Sequence, residues 1–399
     1  MSAPHATSRP LPRAVIVLGW VSFFTDASAD MVYPLVPAFL VSLGGGATAL
    51  GWLEGVAEAV SAAIKLWAGR AVDRAAHPKH LVVLGYGISA LARPLYALAT
   101  APIHAVLVRV ADRTGKGMRG PPRDAMLAAA VDQASRGHAF GYHRMMDNFG
   151  GVAGPFLAFL LLRLAELPLR TVFLLSVVPG LLSVLIAQLF LKDISRPAPP
   201  SHSEPSHSEP PEDAAPPRRD LPWRFFLVTA VFTLSASGDL FLMRRLTDLG
   251  LHVAYVPVAW VSLQLLKGLF NVPGGRASDR WGRRRVLTIA WFIYAATYFA
   301  FGLVQSWWSA WLLILPYAFH YGLAEGAQRA LLTDLAPPSV RGRAFGVQLA
   351  IEGVFILPAN VGFGWIFDRM GAMTAFTAAA ACAALAAILL ATIVPATKK

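Results

Sequence analysis

The pattern of apolar and polar positions divides the chain into twelve long apolar stretches joined by short polar connections. A membrane-spanning helix needs about 20 mostly apolar residues, whereas the strands of a membrane barrel are shorter and alternate in polarity. The continuous runs therefore predict an all-α polytopic membrane protein with twelve transmembrane helices, numbered 1–12 in chain order. The predicted helices cover residues 14–39, 48–69, 80–100, 103–130, 138–163 and 170–191, then 222–246, 254–275, 286–305, 309–333, 343–367 and 372–394.

The chain also repeats itself at about half its length. GRAVDR at 69–74 returns as GRASDR at 275–280, which places Asp73 and Asp279 206 residues apart (279 − 73). RGHAFG at 136–141 returns as RGRAFG at 341–346, a separation of 205 residues (341 − 136). Each half has six predicted helices, an even number, so the two repeats have parallel orientation. The sequence thus predicts two six-helix bundles, 14–191 and 222–394, related by an axis along the membrane normal.

Polar segments remain outside the two bundles. They are tails at 1–13 and 395–399 and a linker at 192–221, which includes SHSEPSHSEPPEDAAPPRRD and has no apolar periodicity. Pro-, Ser- and Glu-rich composition of this kind predicts a disordered linker. Lys and Arg are concentrated in the loops on one side, so the positive-inside rule assigns both termini, the linker and both GRAxDR segments to the cytoplasm. We expect a multi-pass protein of the cell (inner) membrane.

Composition supports a membrane protein. The chain is 56% hydrophobic and 15% charged, and its mean hydropathy is +0.53, whereas about 25% of the residues in soluble domains are charged. The net charge of +12 does not indicate nucleic acid, because the positive residues lie at the ends of apolar runs. We therefore expect the lipid bilayer as a partner and no nucleic acid. The single cysteine, Cys382, excludes an intramolecular disulfide.

The repeated segments carry a motif with a family resemblance. GRASDRWGRRR (275–285) resembles the cytoplasmic loop signature of the major facilitator superfamily, and GRAVDRAAHPK (69–79) matches it less well, because Ala76 replaces the second Gly. The resemblance implies a twelve-helix facilitator fold and a latch that forms in one conformation and breaks in the other. An Asp at a helix end can also meet the positive end of a neighbouring helix. The residues assigned to this cytoplasmic latch are Gly69, Asp73, Arg74, Gly275, Asp279, Arg280, Gly282, Arg283 and Arg284.

Two further motifs lie in helices 4 and 5. DRTGKGMRGPPRDA (112–125) resembles a subgroup of bacterial facilitator transporters, and it contains Gly115 and Gly117, which permit close helix packing. GGVAGP (150–155) resembles the front of a signature associated with proton-coupled drug exporters. Gly150 and Gly154 share one helix face, and Pro155 is expected to bend the helix. Plain helix packing is the alternative role for this segment.

Charged side chains within the predicted helices are the candidates for chemistry. A charge near the bilayer centre is costly, so such residues face a wet cavity or one another. Carboxylates in such a cavity can exchange protons near neutral pH, and the alternative for each is a structural ion pair. Glu325 and Arg329 have the spacing of an intrahelical pair, and His320 fits an interhelical hydrogen bond as well as a cavity role. The proton-coupling or substrate-cavity candidates are Asp26, Asp30, Glu54, Glu58, Arg109, Asp112, Arg113, Asp147, Asp239, Lys267, His320, Glu325, Arg329 and Glu352.

These features predict a secondary active transporter that works by alternating access. The leading hypothesis is an antiporter for proton-coupled export of a small molecule or drug; the alternatives are efflux of a metal ion or metal complex and import of an anionic nutrient. We expect a monomer that needs neither a cofactor nor a bound metal and is not an enzyme. GKGMRG lacks the spacing of a nucleotide-binding loop, and His202 and His207 of the linker fit a solvated tether better than a metal site.

Overall fold

The computed structural model describes residues 11–74, 78–132, 135–193, 221–337 and 340–395, without the side chains of 72–74 and 137. The predicted linker and tails lie almost entirely outside these residues. Within them the chain is all-helical, and the twelve helices predicted from the sequence are present. Helices 1–6 are Arg13–Ser42, Ala47–Arg74, Pro78–Leu98, Pro102–Ala129, Arg136–Arg163 and Leu169–Phe190. Helices 7–10 are Trp223–Asp248, Val253–Trp281, Arg283–Leu303 and 307–335, and helices 11 and 12 form the run Arg341–Ile393.

Helices 11 and 12 are separated by one residue rather than by a loop. Gly371 has φ 87° and ψ 165°, which is not helical, and the chain reverses its direction there. A positive φ is a conformation that favours glycine because it has no Cβ. The sequence placed this boundary within a few residues, at 367–372.

The helices differ in how apolar they are. Eight described helical segments are long and apolar enough to cross a membrane, and one of them is the run that contains both helices 11 and 12. Helices 2, 4 and 10 are outside this set because of their polar residues, such as Glu54, Arg109 and Glu325. In a bilayer, such helices are stable only when their polar face is covered by other helices or by water.

The bundle has two faces with different chemistry. We call the face at which helices 2 and 8 end the basic face, since it carries the repeated Gly-x-x-x-Asp-Arg segments, and the other the opposite face. Exposed tryptophans lie near both: Trp223 and Trp281 at the basic face, and Trp307 and Trp308 at the opposite face. Such amphipathic rings are enriched at the two membrane–water interfaces. Their placement fits a bilayer around the molecule.

Helix 7 is interrupted, which corrects the continuous helix predicted at 222–246. Its α-helical parts are Trp223–Ser235 and Leu240–Asp248, and Asp239 lies in the break rather than inside a helix. The backbone groups released there find partners: Tyr294 Oη donates to Ser235 O at 3.0 Å, and Gly238 N donates to Asn360 Oδ1 at 2.9 Å. Inside a membrane protein, irregular backbone is tolerated where neighbouring helices satisfy it in this way.

Candidate functional site

A cavity lies between the two bundles, in the half of the molecule nearest the basic face. Its volume is about 540 Å³, and helices 4, 5, 8 and 10 supply its walls. Seven of its ten lining residues can carry a charge, so the cavity has polar walls. The lining residues are Arg123, Asp124, Phe140, His143, Arg144, Asp147, Asn271, Glu325, Gly326 and Arg329.

Helix 4 carries a row of charges that is neutralised by neighbouring helices. Arg109 Nε lies 3.1 Å from Glu54 Oε1 of helix 2, and Arg109 Nη1 lies 3.6 Å from Asp112 Oδ2. Asp112 also pairs with Arg93 of helix 3 at 3.0 Å. These four side chains are each less than a tenth exposed. Removing one partner from such a buried pair leaves an uncompensated charge, which costs about 3–5 kcal/mol.

The next charge of helix 4 meets helix 2. Arg113 Nε lies 3.0 Å from Glu58 Oε1, and the Glu58 side chain is 37% exposed. The glycines predicted to permit close packing do so: a Cβ at Gly115 would lie 2.5 Å from the backbone oxygen of Gly85 in helix 3. A Cβ at Gly117 would lie 3.0 Å from Ser61 O in helix 2. The small residues therefore set the spacing that lets the charges reach one another.

The charge network reaches the second bundle at the centre of the molecule. Tyr33 Oη donates to Glu54 Oε2 at 2.5 Å, and the Arg109 guanidinium lies 3.8 Å from the Tyr33 ring centroid. The Tyr33 ring also packs edge-to-face on Trp260 of helix 8, with centroids 5.0 Å apart. A Cβ at Gly238, in the break of helix 7, would lie 3.3 Å from Glu54 Oε2. Glu54 thus lies where the two bundles meet, with its partners Tyr33 and Arg109 both in the first bundle.

The second bundle holds a smaller polar cluster. Lys267 Nζ of helix 8 lies 2.6 Å from Asp239 Oδ2, and Tyr317 Oη donates to Asp239 Oδ1 at 2.6 Å. The ammonium also lies 4.3 Å from the Tyr321 ring centroid. His320 is buried, with Nδ1 2.8 Å from Ala290 O. This contact joins helices 10 and 9, as expected for the interhelical hydrogen bond that was one of the two roles predicted for His320.

Two remaining candidates of the second bundle lie nearer the basic face. Glu325 and Arg329 form the predicted pair at 3.2 Å, and the Arg329 side chain is 73% exposed. Glu352 Oε1 accepts hydrogen bonds from Gln328 at 3.1 Å and from Gln348 at 2.7 Å. Glu352 is therefore held by amides rather than by a cation in the part of the chain that the structure describes.

Asp26 and Asp30 of helix 1 differ from the other candidates. Both are partly buried, and neither makes an ion pair or hydrogen bond with any residue that the structure describes. Lys116 of helix 4 is the charge of opposite sign that acts most strongly on Asp30, followed by Arg113 and Arg93. These two carboxylates therefore have cations nearby but no fixed partner.

The glycine motif of helix 5 brings that helix against helix 1. A Cβ at Gly150 would lie 2.3 Å from Phe23 O, and a Cβ at Gly154 would lie 2.1 Å from Ala27 O. The neighbouring Gly151 faces Asp30, with Oδ2 3.0 Å from the position of a Cβ. Pro155 lies inside the helix. The motif thus serves close packing, and the surface that it creates lies beside the unpaired carboxylates.

At the opposite face the two bundles are in close contact. Asp368 of helix 11 accepts hydrogen bonds from Ala47 N at 2.8 Å, Thr48 N at 2.7 Å and Thr48 Oγ1 at 2.6 Å. It caps the first turn of helix 2, where backbone N–H groups have no partner within the helix. A Cβ at Gly364 would lie 2.2 Å from Ala47 O, so the two backbones touch there. The opposite face is therefore closed.

The repeated motif at the basic face makes contacts within its own bundle. Arg283 pairs with Asp334 at the end of helix 10, and Arg284 Nη1 donates to Val394 O at 2.7 Å. Asp279 is exposed, and its carboxylate makes no ion pair or hydrogen bond with a described residue. The side chains of Asp73 and Arg74 lie outside the described part. Both contacts join helices of the second bundle, and neither crosses to the first.

Sequence reasoning missed several residues that the fold brings to the site. Arg93 and Tyr33 complete the central charge network, and a lone charge in an apolar helix was the available signal for Arg93. His143 lies one helical turn before Asp147, with Nδ1 3.4 Å from Asp147 Oδ1, so its spacing from that acid was a signal too. The sequence contains no signal for the role of Asp368, because an acid at the end of a predicted helix is common.

Comparison with known proteins identifies the family. The model of the Major Facilitator Superfamily matches residues 18–354. An uncharacterised MFS-type transporter of Methanocaldococcus jannaschii is 29% identical over 379 residues, which cover 93% of this chain and 92% of the relative. The multi-drug resistance efflux pump PmrA of Streptococcus pneumoniae is 25% identical over 348 residues, which cover 81% of this chain and 82% of the pump.

Solved structures share the fold. A bacterial homologue of the human lysosomal transporter Spinster, inward-facing and unoccupied, aligns with a TM-score of 0.72 at 17% identity and covers 96% of this chain and 95% of its own. A POT family transporter in complex with 5-aminolevulinic acid aligns with a TM-score of 0.77 at 13% identity, covering 97% of both chains. At such identities the likeness shows the fold alone, which is that of twelve helices in two bundles.

Proposed function

Because the chain belongs to the major facilitator superfamily, we propose that this transporter exports a small polar molecule in exchange for protons, by alternating access. The observation that carries the proposal is the pair of carboxylates Asp26 and Asp30, which have no fixed partner in the described part of the chain. A carboxylate held by an arginine is stabilised in its charged form. One without a fixed partner can take up a proton from a wet cavity and release it when the conformation changes.

The orientation is part of the proposal. The basic face is assigned to the cytoplasm by the positive-inside rule. With that orientation, the cavity lined by Arg144, Asp147 and Arg329 opens inward, and the contact of Asp368 with Ala47 and Thr48 seals the outside. Substrate then enters from the cytoplasm, as an exporter requires.

The direction rests on two supports. GGVAGP resembles a signature of proton-coupled exporters, and a relative at 25% identity is a multi-drug resistance efflux pump. The composition of the cavity narrows the substrate class, because a lipophilic drug gains little from seven ionisable side chains. A polar, charged or zwitterionic molecule fits such walls better.

The basic side chains of the cavity support one alternative, the import of an anionic nutrient. Arg123, Arg144, Arg329 and His143 line the cavity, and an anionic solute would be attracted by them. Asp124, Asp147 and Glu325 line it as well, which favours a zwitterion over a simple anion. For metal efflux, no group of three His, Cys, Asp or Glu side chains within the described residues is arranged to hold a metal ion. Nothing in the described site therefore favours the metal alternative, and His202 and His207 lie outside it.

The test is transport into inverted membrane vesicles that carry the protein. The panel contains polar zwitterions such as amino acids, together with ethidium, divalent metal ions and radiolabelled organic anions. We expect uptake of a polar member of the panel, and an uncoupler should abolish this uptake. A pH-sensitive dye should report a proton flux in the opposite direction. Uptake that ignores the proton gradient would contradict proton coupling, and uptake of metal ions alone would favour the alternative substrate.

A matched pair of variants tests the role of the carboxylates. Asp30→Asn is expected to lower proton-driven uptake about 10-fold or more while exchange of labelled for unlabelled substrate continues. Asp248→Asn is the control, because Asp248 pairs with Arg244 of its own helix at 2.7 Å at the opposite face. Equal loss in both variants would argue against a specific role for Asp30.

A further inference from the structure

A row of ionisable side chains leads from the cavity towards the centre of the membrane along the contact of helices 1 and 5. The two helices run in the same direction from the basic face. Asp147 of helix 5 therefore lies nearer that face than Gly151, which adjoins Asp30 of helix 1. Asp147 acts electrostatically on Asp26, and Asp26 in turn acts on Asp30. The close backbone contact at Gly150 and Gly154 keeps the row together.

The cavity end of this row is a histidine. His143 is 4% exposed and lines the cavity together with Asp147. Its Nδ1 lies 3.4 Å from Asp147 Oδ1, and both that oxygen and the histidine Nε2 are buried without a hydrogen-bond partner among the described residues. A buried polar atom without a partner is unusual and calls for an explanation, such as a water molecule or a functional role.

We propose that His143 passes protons between the cavity and the row formed by Asp147, Asp26 and Asp30. This inference rests on the proton-coupled function proposed above. In the inward step, Nε2 takes a proton from cavity water, and Nδ1 gives its own proton to Asp147 Oδ1. The imidazole returns to its neutral form with the other nitrogen protonated, and rotation or the reverse transfer restores it. Imidazole suits this role because its two nitrogens can accept and donate in turn.

Other charges surround the histidine and the row. They come from helix 4, helix 5 and helix 10 across the cavity, and from helix 1. The charged groups facing the row from these elements are Asp26, Asp30, Lys116, Arg119, Arg123, Asp124, Arg144, Asp147, Glu325 and Arg329. Asp147 is the acid in direct contact with the imidazole, so its removal is the sharpest test.

The experiment is an NMR titration of the full-length protein with isotopically labelled histidine in lipid nanodiscs. The His143 signal is assigned by its loss in His143→Gln, and exposed His252 serves as the internal reference. We expect the His143 signal to move with pH between pH 5 and pH 9. The midpoint of that movement should differ in Asp147→Asn, which removes the acid 3.4 Å from the imidazole, and should differ less in Asp26→Asn. Asp248→Asn, at the opposite face, should leave it unaltered.

Three outcomes would overturn the relay: a His143 signal that is constant from pH 5 to pH 9, a midpoint that Asp147→Asn leaves unchanged, or ring protons that exchange only slowly with water. Thermal unfolding shows whether each variant folds. Asp147→Glu, which keeps the charge, should retain the wild-type midpoint, and Asp26→Asn carries the test if Asp147→Asn does not fold. The titration needs no substrate. The vesicle assay can therefore fail while the titration succeeds, and the reverse is also possible. Failure of the relay and failure of proton-coupled export are thus distinguishable.

Discussion

The two faces of the interface between the bundles are built differently. At the opposite face the backbones touch at small residues, and Asp368 of one bundle caps a helix of the other through three hydrogen bonds. At the basic face the bundles are separated by a cavity whose walls carry charges. Closure in this protein thus relies on close backbone packing and one polar cap. The charged walls of the other face stay apart in this conformation.

The difference has an energetic consequence. A helix cap and a few hydrogen bonds contribute about 1–2 kcal/mol each, which a substrate or a proton can overcome. Buried pairs such as Arg109 with Glu54 are far more costly to break, and they lie inside one bundle. Bonds that must be released in each cycle are therefore weak and lie between bundles, whereas the strong ones hold each bundle rigid.

Gly364→Leu should disrupt closure at the opposite face most strongly. A side chain there meets Ala47 O at 2.2 Å from its Cβ, and overpacking of this kind costs about 1–3 kcal/mol. Spin labels on the two bundles, with distances measured by electron paramagnetic resonance, should show that the closed opposite face becomes the minor population. Gly362→Leu is the control, because no described atom lies within 4 Å of a Cβ at Gly362. Equal effects of both variants would contradict the role of close packing.

Asp368→Asn should weaken the same closure without a steric change. Asparagine keeps one acceptor oxygen but loses the negative charge at the first turn of helix 2, which is worth about 1 kcal/mol. The population with an open opposite face should rise several-fold in the same distance measurement. If labelled distances at that face are identical to those of the wild type, the cap has no part in closure.

Asp279→Asn should shift the equilibrium the other way. The latch motif is expected to hold the basic face closed in the alternative conformation, and Asp279 has no ion pair or hydrogen bond with a described residue in this one. Its loss should therefore favour the present conformation by about 0.3–1 kcal/mol and slow turnover while substrate binding persists. The double variant with Asp368→Asn should return towards the wild-type distribution. Equal loss of substrate binding in Asp279→Asn would argue against a latch.

Arg329→Gln should have the smallest effect. Its pair with Glu325 is intrahelical and its side chain is 73% exposed, and such pairs contribute about 0.3–0.5 kcal/mol. Thermal unfolding and label distances should both stay close to the wild type. A shift of the distances as large as that of Asp368→Asn would show that the cavity wall takes part in closure.

The helices were predictable because they depend on local composition. Twelve apolar runs gave twelve helices, since each helix must satisfy its own backbone in the membrane. Most ends lie within three residues of the prediction, but helices 2 and 8 continue to Arg74 and Trp281, beyond the predicted ends at 69 and 275. The break in helix 7 was not predicted, although Ser237, Gly238 and Asp239 interrupt its apolar run. Whether such a segment unwinds depends on Asn360 and Tyr294, which supply the partners from helices 11 and 9.

The sequence by itself determined the family, the two repeats and the identity of the charged residues inside the membrane. Composition and short motifs are enough for that, because the cost of burying charge makes every such residue stand out. Only the tertiary structure decided which acids have partners. Glu54, Glu58 and Asp112 face arginines from neighbouring helices, whereas Asp26 and Asp30 do not. Pairing requires atoms of different helices to come within about 3–4 Å. The spacing of residues along one helix does not predict distances between helices.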